Sequence, residues 1–133
     1  MYTVTSIMKS PVVGIEGNKS VAEALHRMQE MGISSILVTP AATGEPRGIM
    51  TKRDVISKVV SQGKDPAKLK VQDVMTAGLI TVPADCTLQD AAALMMEKSI
   101  RRVLVSRGTE IIGIVSDTDI FRAVEEAGWG KNY

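Results

Sequence analysis

Two tetrapeptides in this sequence place a hydroxyl residue three positions before an aspartate: Thr51-Lys52-Arg53-Asp54 and Ser116-Asp117-Thr118-Asp119. Each follows a glycine-led apolar run and precedes an apolar run with helical spacing. A strand that turns into a helix at a hydroxyl residue brings together free backbone N–H groups and the positive end of the helix dipole, which favours an anion. An ionised aspartate can accept hydrogen bonds from both hydroxyls of a diol. The two tetrapeptides are therefore the candidate functional residues.

The same spacing also has a purely structural explanation. A hydroxyl residue followed three positions later by an acidic residue is the capping box that begins many helices. Ser20 with Glu23 and Thr87 with Asp90 have this spacing too, and we assign no ligand to them. The spacing alone leaves both a capping role and a binding role open.

Charge distinguishes the two tetrapeptides. Lys52 and Arg53 fall in the first turn of a predicted helix, where the helix dipole disfavours each cation by roughly 0.3–1 kcal/mol. A phosphate bound there would explain these cations; the alternative is that both side chains are simply solvated. The second copy has Asp117 and Thr118 instead. We therefore expect the first copy to prefer phosphate-bearing ligands. We expect the second to be weaker, empty or specific for an uncharged or zwitterionic ligand.

The elements that position these residues occur twice, because the chain is an internal repeat. A shift of 67 residues superimposes Val4–Thr39 on Val71–Ser106, and Gly48–Ile56 matches Gly113–Phe121 after a loop of slightly different length. The predicted parts are motif 1 at 1–62, a linker at 63–69, motif 2 at 70–127 and a C-terminal tail at 128–133.

Each motif has the predicted element order β-α-β-β-α. A short β-rich run and a half-buried helix are followed by a continuous apolar run, Ile36-Leu37-Val38 or Val103-Leu104-Val105, which is typical of a buried strand. The glycine-led strand and a last helix complete the motif. A motif of about 60 residues is marginal as an independent core. We therefore predict an α+β fold with α/β-type layers, in which the motifs pack through their sheets about a pseudo-twofold axis and form a cleft.

The doubled element order, the early Met8 and Met75, and the doubled Gly-apolar-apolar-Ser/Thr-x-x-Asp pattern resemble a tandem pair of CBS domains, known as a Bateman module. The resemblance covers about residues 4–127 and suggests a stand-alone CBS-domain protein. It implies a regulatory module that binds an adenosyl ligand, with AMP, ADP or ATP first and S-adenosylmethionine or NAD as further candidates. It also implies that the aspartate holds the ribose hydroxyls, that the hydroxyl residue reaches phosphate, and that modules pair into a homodimer.

The resemblance further implies composite sites, in which the tetrapeptide of one motif faces strand-opening residues of the other. The first predicted site comprises Thr51, Lys52, Arg53, Asp54, Arg101 and Arg102, with Ile80, Thr81, Val82 and Ile100 as its apolar adenine slot. The second comprises Ser116, Asp117, Asp119, Ser34 and Ser35, without a cation, and its slot includes Val13, Gly14 and Ile33. For every slot residue, the alternative to binding adenine is ordinary core packing. For the two arginines, the alternative to binding a ligand is a surface role.

Composition argues against several other functions. The net charge of +1 and the aromatic content of 3% do not favour a nucleic-acid surface. No apolar stretch approaches the ~20 residues that span a bilayer, and the N-terminus lacks a basic and apolar leader, so we expect a cytoplasmic protein without membrane contact. His26 and Cys86 are single residues of their type, which predicts neither a metal site nor a Cys–His nucleophile.

The sequence therefore predicts a regulatory module that senses an adenosyl ligand in the cleft between its motifs and passes the state to an effector protein not yet known. No cofactor is required. The alternative is a ligand-free dimerisation or scaffold module whose aspartates are only helix caps. A nucleotide-transforming enzyme is the third hypothesis and is not favoured, because the tetrapeptides offer no histidine base, activated nucleophile or metal cluster.

Overall fold

The computed structural model describes residues 2–43 and 47–128, which form two compact units. One unit is Val13–Leu79, and the other combines residues 2–12 with residues 80–128. Each contains a mixed sheet and helices, so the predicted α+β class with two β-α-β-β-α copies is confirmed. Residues 129–133 of the predicted tail lie outside the described residues.

The unit Val13–Leu79 is built on a sheet with strand order β1-β2-β3-β4. Strand β1 runs parallel to β2, and the other neighbours are antiparallel. Its elements are β1 (Gly14–Glu16), α1 (Val21–Met31), β2 (Ser35–Thr39), β3 (Gly48–Thr51), α2 (Lys52–Val55) continuing as a π-helical segment (Ile56–Val60), a 3₁₀ turn (Pro66–Lys68), α3 (Val71–Val74) and β4 (Thr76–Ala77).

The other unit repeats this arrangement with a sheet of order β5-β6-β7, in which β5 is parallel to β6 and β7 is antiparallel to it. Its elements are a 3₁₀ turn (Val4–Ser6), β5 (Thr81–Pro83), α4 (Leu88–Lys98), β6 (Arg102–Arg107), β7 (Glu110–Ser116) and α5 (Asp117–Ala127). Within the described ranges, no helix is long and apolar enough to cross a membrane.

The compact units exchange the first segments of the two sequence repeats. Residues Val71, Val74 and Met75 open the second repeat, yet they are buried in the core of the unit Val13–Leu79. Conversely, Val4 opens the first repeat and is buried in the core of the other unit, while Lys9 forms an isolated bridge to Ile114. Each motif therefore carries next to its last strand a segment that comes from the other repeat.

Two glycines allow this close approach. A Cβ added to Gly48 would lie 2.6 Å from both the sulfur of Met75 and the backbone carbonyl of Thr76. A Cβ added to Gly113 would collide with the side chain of Met8. One contact thus explains both the glycines that lead β3 and β7 and the repeat-matched methionines. In each unit, a methionine side chain crosses a strand at a residue that has no side chain.

Candidate functional site: the two aspartate motifs

Both tetrapeptides form reciprocal capping boxes at helix starts. Thr51 Oγ1 accepts a hydrogen bond from the Asp54 N–H at 3.2 Å, and Oδ2 of Asp54 accepts one from the Thr51 N–H at 2.9 Å. Ser116 Oγ accepts from the Asp119 N–H at 3.1 Å, and Oδ2 of Asp119 accepts from the Ser116 N–H at 2.9 Å. The capping role left open by the sequence is therefore real at both motifs.

The other two predicted helix caps are not equivalent to these. Ser20 and Thr87 each accept a hydrogen bond at 3.1 Å from the N–H three residues on. Glu23 does not return a bond to Ser20 and instead lies 3.9 Å from Arg27. In contrast, Asp54 and Asp119 are the buried charged residues of the described chain, each 8% exposed. Burial of the acid, which spacing cannot show, separates the candidate motifs from ordinary caps.

The carboxylate of Asp54 contacts four groups of its own unit. Its Oδ2 accepts from the Thr51 N–H at 2.9 Å and from the Thr51 hydroxyl at 3.1 Å. Its Oδ1 accepts from the Thr76 hydroxyl at 2.9 Å and lies 3.4 Å from the ammonium of Lys58. Three hydrogen bonds and one ion pair therefore engage this carboxylate.

The carboxylate of Asp119 is used much less. Its Oδ2 accepts from the Ser116 N–H, and the ammonium of Lys9 stands 3.8 Å from its Oδ1, beyond hydrogen-bond distance. Among the described residues no hydrogen bond reaches this Oδ1, and the Asp119 side chain is 7% exposed. Asp119 is therefore a buried acid with one hydrogen bond and one loose ion pair among the described residues.

Substitutions between the repeats cause this difference. Thr76 and Lys9 occupy equivalent positions, each directly after the repeat-matched methionine. A short threonine side chain reaches the aspartate as a hydrogen-bond donor, whereas the lysine ammonium remains 69% exposed, measured over the side chain. Lys58 is replaced by Ala123 in the second copy, which has no donor. Both Oδ1 partners of the first aspartate are thus absent from the second.

The expectation of free N–H groups at the helix starts is largely wrong. At α5, the Asp117 N–H donates to the Arg101 carbonyl at 2.9 Å and the Thr118 N–H donates to Oδ1 of Asp117 at 2.8 Å. With the Asp119 N–H bonded to Ser116, the first turn has no N–H left for a ligand. The Arg101 carbonyl and the Asp117 side chain are the acceptors for two of these N–H groups, and the local sequence pattern shows neither contact.

The start of α2 retains more capacity for an anion. The Lys52 N–H donates to the Ser34 carbonyl at 2.9 Å, but the Arg53 N–H has no partner among the described residues. The side chains of Lys52 and Arg53 are exposed and form no ion pair with any described carboxylate. One free N–H and two unpaired cations therefore remain at this helix start.

Within each unit, the tetrapeptide lies beside the strand-opening residues of its own motif. Ser35 is the register partner of Thr51 on β2 and β3, and Arg102 is the register partner of Ser116 on β6 and β7. Arg101 is joined to the same helix start through its carbonyl. The structure thus places both arginines in the unit of Asp119, and their predicted contribution to the Asp54 site stays a prediction.

The predicted adenine-slot residues differ in the surface they offer. Val82 is 4% exposed and belongs to the core of its unit. Half-buried apolar residues at the margins of the two cores are Val13, Ile33, Ile80 and Ile100. Thr81 is exposed, and the carbonyl of Gly14 is occupied by a hydrogen bond of 2.7 Å from Arg27. Their contact with an adenine ring stays a prediction.

Histidine and cysteine form no further site in the described chain. His26 pairs with Glu30 on the exposed surface of α1 at 2.6 Å, and no group of three potential metal ligands occurs among the described residues. Cys86 is a free thiol, and burial, followed by the charges of Asp90 and Asp85, raises its pKa.

Sequence reasoning missed three residues that bear on the aspartates: Thr76, Lys58 and Lys9. Lys58 was detectable, because it lies one helical turn after Asp54. Thr76 and Lys9 were not assigned because each lies in the opposite sequence repeat from the aspartate it approaches. The repeat match of Met8 with Met75 was the available signal, but it does not say which strand each methionine crosses.

The sequence model of the CBS domain matches residues 4–61 and, a second time, residues 71–126. The chain belongs to the CBS domain family. The predicted tandem pair is thereby confirmed, and the two aspartate motifs are the equivalent helix starts of the two CBS motifs.

Several known proteins resemble this chain over nearly its whole length. An uncharacterised protein of Methanopyrus kandleri is 36% identical over 121 residues, covering 90% of this chain and 61% of the relative. The mitochondrial CBS domain-containing protein CBSX3 of Arabidopsis thaliana is 31% identical, covering 92% of this chain and 64% of the relative. The hexameric CBS-CP12 protein of bloom-forming cyanobacteria has a TM-score of 0.86 at 30% identity, covering 98% of this chain and 72% of that one. The chain thus spans less than two thirds of the two curated relatives.

Proposed function

We propose that this tandem CBS pair is a cytoplasmic, non-enzymatic regulatory module that binds an adenosyl ligand, with AMP, ADP or ATP as the first candidates, and passes its state to a partner protein. The observation that carries this proposal is the unpaired cationic helix start of α2. Lys52 and Arg53 are exposed there without a described carboxylate partner, beside the free Arg53 N–H. A helix selected only for stability would have acids in this turn.

The supporting chemistry is a phosphate bound by charge-assisted hydrogen bonds. Arginine suits phosphate because its planar guanidinium donates two parallel bonds, and lysine adds a compact charge. The CBS family membership supports the regulatory assignment, and a ligand can shift such a module between arrangements only by its differential affinity for them.

The test is calorimetric titration with AMP, ADP, ATP, NAD and S-adenosylmethionine. The double variant Lys52→Gln/Arg53→Gln should weaken AMP binding by about tenfold or more, since a hydrogen bond to a charged group contributes roughly 1.5–3 kcal/mol. Lys64→Gln/Lys68→Gln is the matched control, because it removes the same charge from exposed positions of the same unit. Equal weakening in both variants would mean that the loss of AMP affinity comes from the change in overall charge and not from the helix start of α2.

A second candidate is a ligand-free oligomerisation module. It is favoured by Ile56 and Val60, which are 53% and 61% exposed on the segment that continues α2. The cyanobacterial CBS-CP12 relative is described as hexameric, and we propose at least a homodimer for this chain. A thermal-shift panel separates the candidates: a ligand at ~100 times its dissociation constant adds about 2.7 kcal/mol of stability, whereas a pure scaffold shows no shift with any adenosyl compound.

A further inference from the structure

The exposed faces of α2 and α5 carry opposite charges, although the two helices are repeat equivalents. In the segment 52–64, which contains α2 and its continuation, the exposed charged residues are all cations: Lys52, Arg53 and Lys64. In α5, the exposed charged residues are three acids and one cation: Asp117, Glu125, Glu126 and Arg122. The internal repeat therefore has a positive face on one helix and a negative face on its equivalent.

Each face also has an apolar centre. Ile56 and Val60 are 53% and 61% exposed after α2, and Phe121, the repeat equivalent of Ile56, is 56% exposed on α5. A spacing of four residues places side chains on one helix face, so each helix has an exposed stripe: Lys52, Ile56 and Val60 on one, and Asp117, Phe121 and Glu125 on the other. Exposed apolar residues within a polar rim are typical of protein–protein contact surfaces.

The charges of both faces are not neutralised within their own units. The ion pairs of the described residues involve the carboxylates of Glu23, Glu30, Asp54 and Asp119, and none of them includes an exposed charge of either stripe. The carboxylate of Asp117 accepts the N–H of Thr118 at 2.8 Å, which is a contact within its own helix turn. Within the described chain, both faces therefore keep their charges available for another molecule.

Both helices also carry the charges that their dipoles disfavour. The helix that starts at Lys52 has two cations in its first turn, at the positive end of its dipole, and α5 has Glu125 and Glu126 in its last turn, at the negative end. An antiparallel contact would bring these two ends together, so that each misplaced pair of charges would neutralise the other. The apolar centres would then face each other, and Asp117 would lie toward Lys64.

Contact between like helices would have the opposite effect. Two copies of the α2 face would place cations beside cations, and two copies of the α5 face would place acids beside acids. Like charges that face each other across an interface weaken association, whereas opposite charges favour it and fix its register. The partner that fits the positive face with its apolar centre is therefore the negative face of a second copy of this chain.

We infer that copies of this chain associate through unlike helices, with α2 of one copy lying antiparallel to α5 of a second. This inference rests on the homodimer proposed above and deepens it, because it names the two surfaces in contact. Lys52 and Arg53 cannot meet a phosphate and the acids of a second copy at the same time. The association is therefore measured on the whole chain after removal of any bound nucleotide.

The first experiment reverses the charges and measures association by sedimentation. Glu125→Lys/Glu126→Lys should raise the dissociation constant about tenfold or more, because cations would then face cations. Adding Lys52→Glu/Arg53→Glu to the same chain makes the two faces opposite in charge again and should restore association. The matched control Asp85→Lys/Glu110→Lys reverses two exposed acids of the same unit outside its helices and should associate like the wild type.

The second experiment identifies the helices in contact by cross-linking in a Cys86→Ala background. One sample carries Ser57→Cys and the other Arg122→Cys, which are exposed and lie next to the apolar centres of the two stripes. A short bismaleimide should join the two variants when they are mixed and should join neither variant to itself. Mass spectrometry distinguishes the products, because the two chains differ in mass.

The outcomes separate this inference from the proposals on which it rests. Unchanged association of Glu125→Lys/Glu126→Lys, or a Ser57→Cys chain joined to another Ser57→Cys chain, would overturn the inference while the homodimer stands. A wild type that is monomeric at all concentrations would overturn both, and the adenosyl function is decided separately by calorimetric titration. Thermal unfolding shows whether each charge variant is folded, and the cross-linking variants, which keep every acid, carry the test if one is not.

Discussion

The Thr76 hydroxyl donates to Oδ1 of Asp54 at 2.9 Å, a bond that ties the opening segment of the second CBS motif to the helix start of the first. At the equivalent position of the other unit, the Lys9 ammonium remains 3.8 Å from Oδ1 of Asp119. The first pair is a hydrogen bond on a carboxylate that has two further hydrogen bonds and an ion pair, and the second pair is a loose ion pair. The internal repeat is therefore symmetric in its backbone and asymmetric in its acceptors.

Removing the two carboxylates should destabilise the protein to different extents. Asp54→Ala leaves three hydrogen-bond donors without their acceptor and the Lys58 ammonium without its ion pair, whereas Asp119→Ala leaves one N–H and a solvated lysine. Loss of a cap costs about 0.5–2 kcal/mol, and the additional side-chain bonds of Asp54 should add about 1–2 kcal/mol. Urea denaturation of both variants without ligand measures the difference. Equal free energies of unfolding would contradict the larger stabilising role assigned to the contacts of Asp54.

The two glycines at the methionine crossings should differ in their tolerance of a side chain. Gly48→Ala would place a Cβ 2.6 Å from the backbone carbonyl of Thr76, which cannot move without breaking the β3–β4 pairing. Gly113→Ala would have side-chain atoms of Met8 as its three nearest contacts, and the outer ones can move. Overpacking costs about 1–3 kcal/mol, and we expect Gly48→Ala at the upper end and Gly113→Ala at the lower.

A rescue experiment checks the cause at each glycine. Met8→Ala should restore part of the stability lost in Gly113→Ala, because the colliding side chain is gone. Met75→Ala should not rescue Gly48→Ala to the same degree, since the carbonyl of Thr76 still blocks the Cβ. Urea midpoints of the four variants and the two double variants provide the comparison, and equal rescue at both glycines would refute the carbonyl explanation.

Much of this fold could be predicted from the sequence, because the helices and longer strands carry clear periodicity and cap signals. The caps at Ser20 and Thr87 and the strands around Ile36 and Val103 lie where the pattern places them. The exchange of opening segments could not be predicted, because elements as short as α3 and β4 have too few residues to show a period. Which strand they join depends on contacts distant in sequence.

The candidate site was predictable only in part, for a related reason. The tetrapeptides and their charge difference are local, and the structure places them at helix starts as expected. The state of each carboxylate depends on Thr76 or Lys9, which approach from the other sequence repeat. Satisfaction of the α5 N–H groups by Arg101 and Asp117 likewise needed the packed structure.

The thiol of Cys86 should react slowly and should make stability depend on pH. Burial, then the charges of Asp90 and Asp85, raises the pKa of Cys86, so the thiolate fraction near neutral pH is lower than for a free cysteine. The folded state holds this proton more tightly than the unfolded chain. Its contribution to stability is complete below the unfolded thiol's pKa and is lost as the pH rises through the folded one.

Two measurements check this prediction. The rate of alkylation by iodoacetamide as a function of pH should show a midpoint above that of a cysteine in a short peptide. Asp85→Asn/Asp90→Asn should lower that midpoint. The fall in the free energy of unfolding at alkaline pH should shrink in Cys86→Ala. A midpoint at or below that of the peptide would show that the thiol is not shielded as the structure indicates.

Oligomerisation should depend on the exposed apolar residues after α2. Ile56→Lys/Val60→Lys places two charges on the exposed segment and should shift sedimentation toward the monomer, with little effect on the folded unit because both side chains are largely solvated. Ser61→Lys/Gln62→Lys adds the same charge at neighbouring exposed positions and should preserve the oligomer. A wild type that sediments as a monomer at all concentrations would refute the proposed homodimer.

Native mass spectrometry with added AMP tests the central claim most directly, because it counts the ligands bound to each chain. The wild type should carry AMP, Lys52→Gln/Arg53→Gln should need about tenfold or more AMP for the same occupancy, and Lys64→Gln/Lys68→Gln should bind like the wild type. A wild type that remains without ligand in the presence of AMP, ADP, ATP, NAD or S-adenosylmethionine would contradict the account.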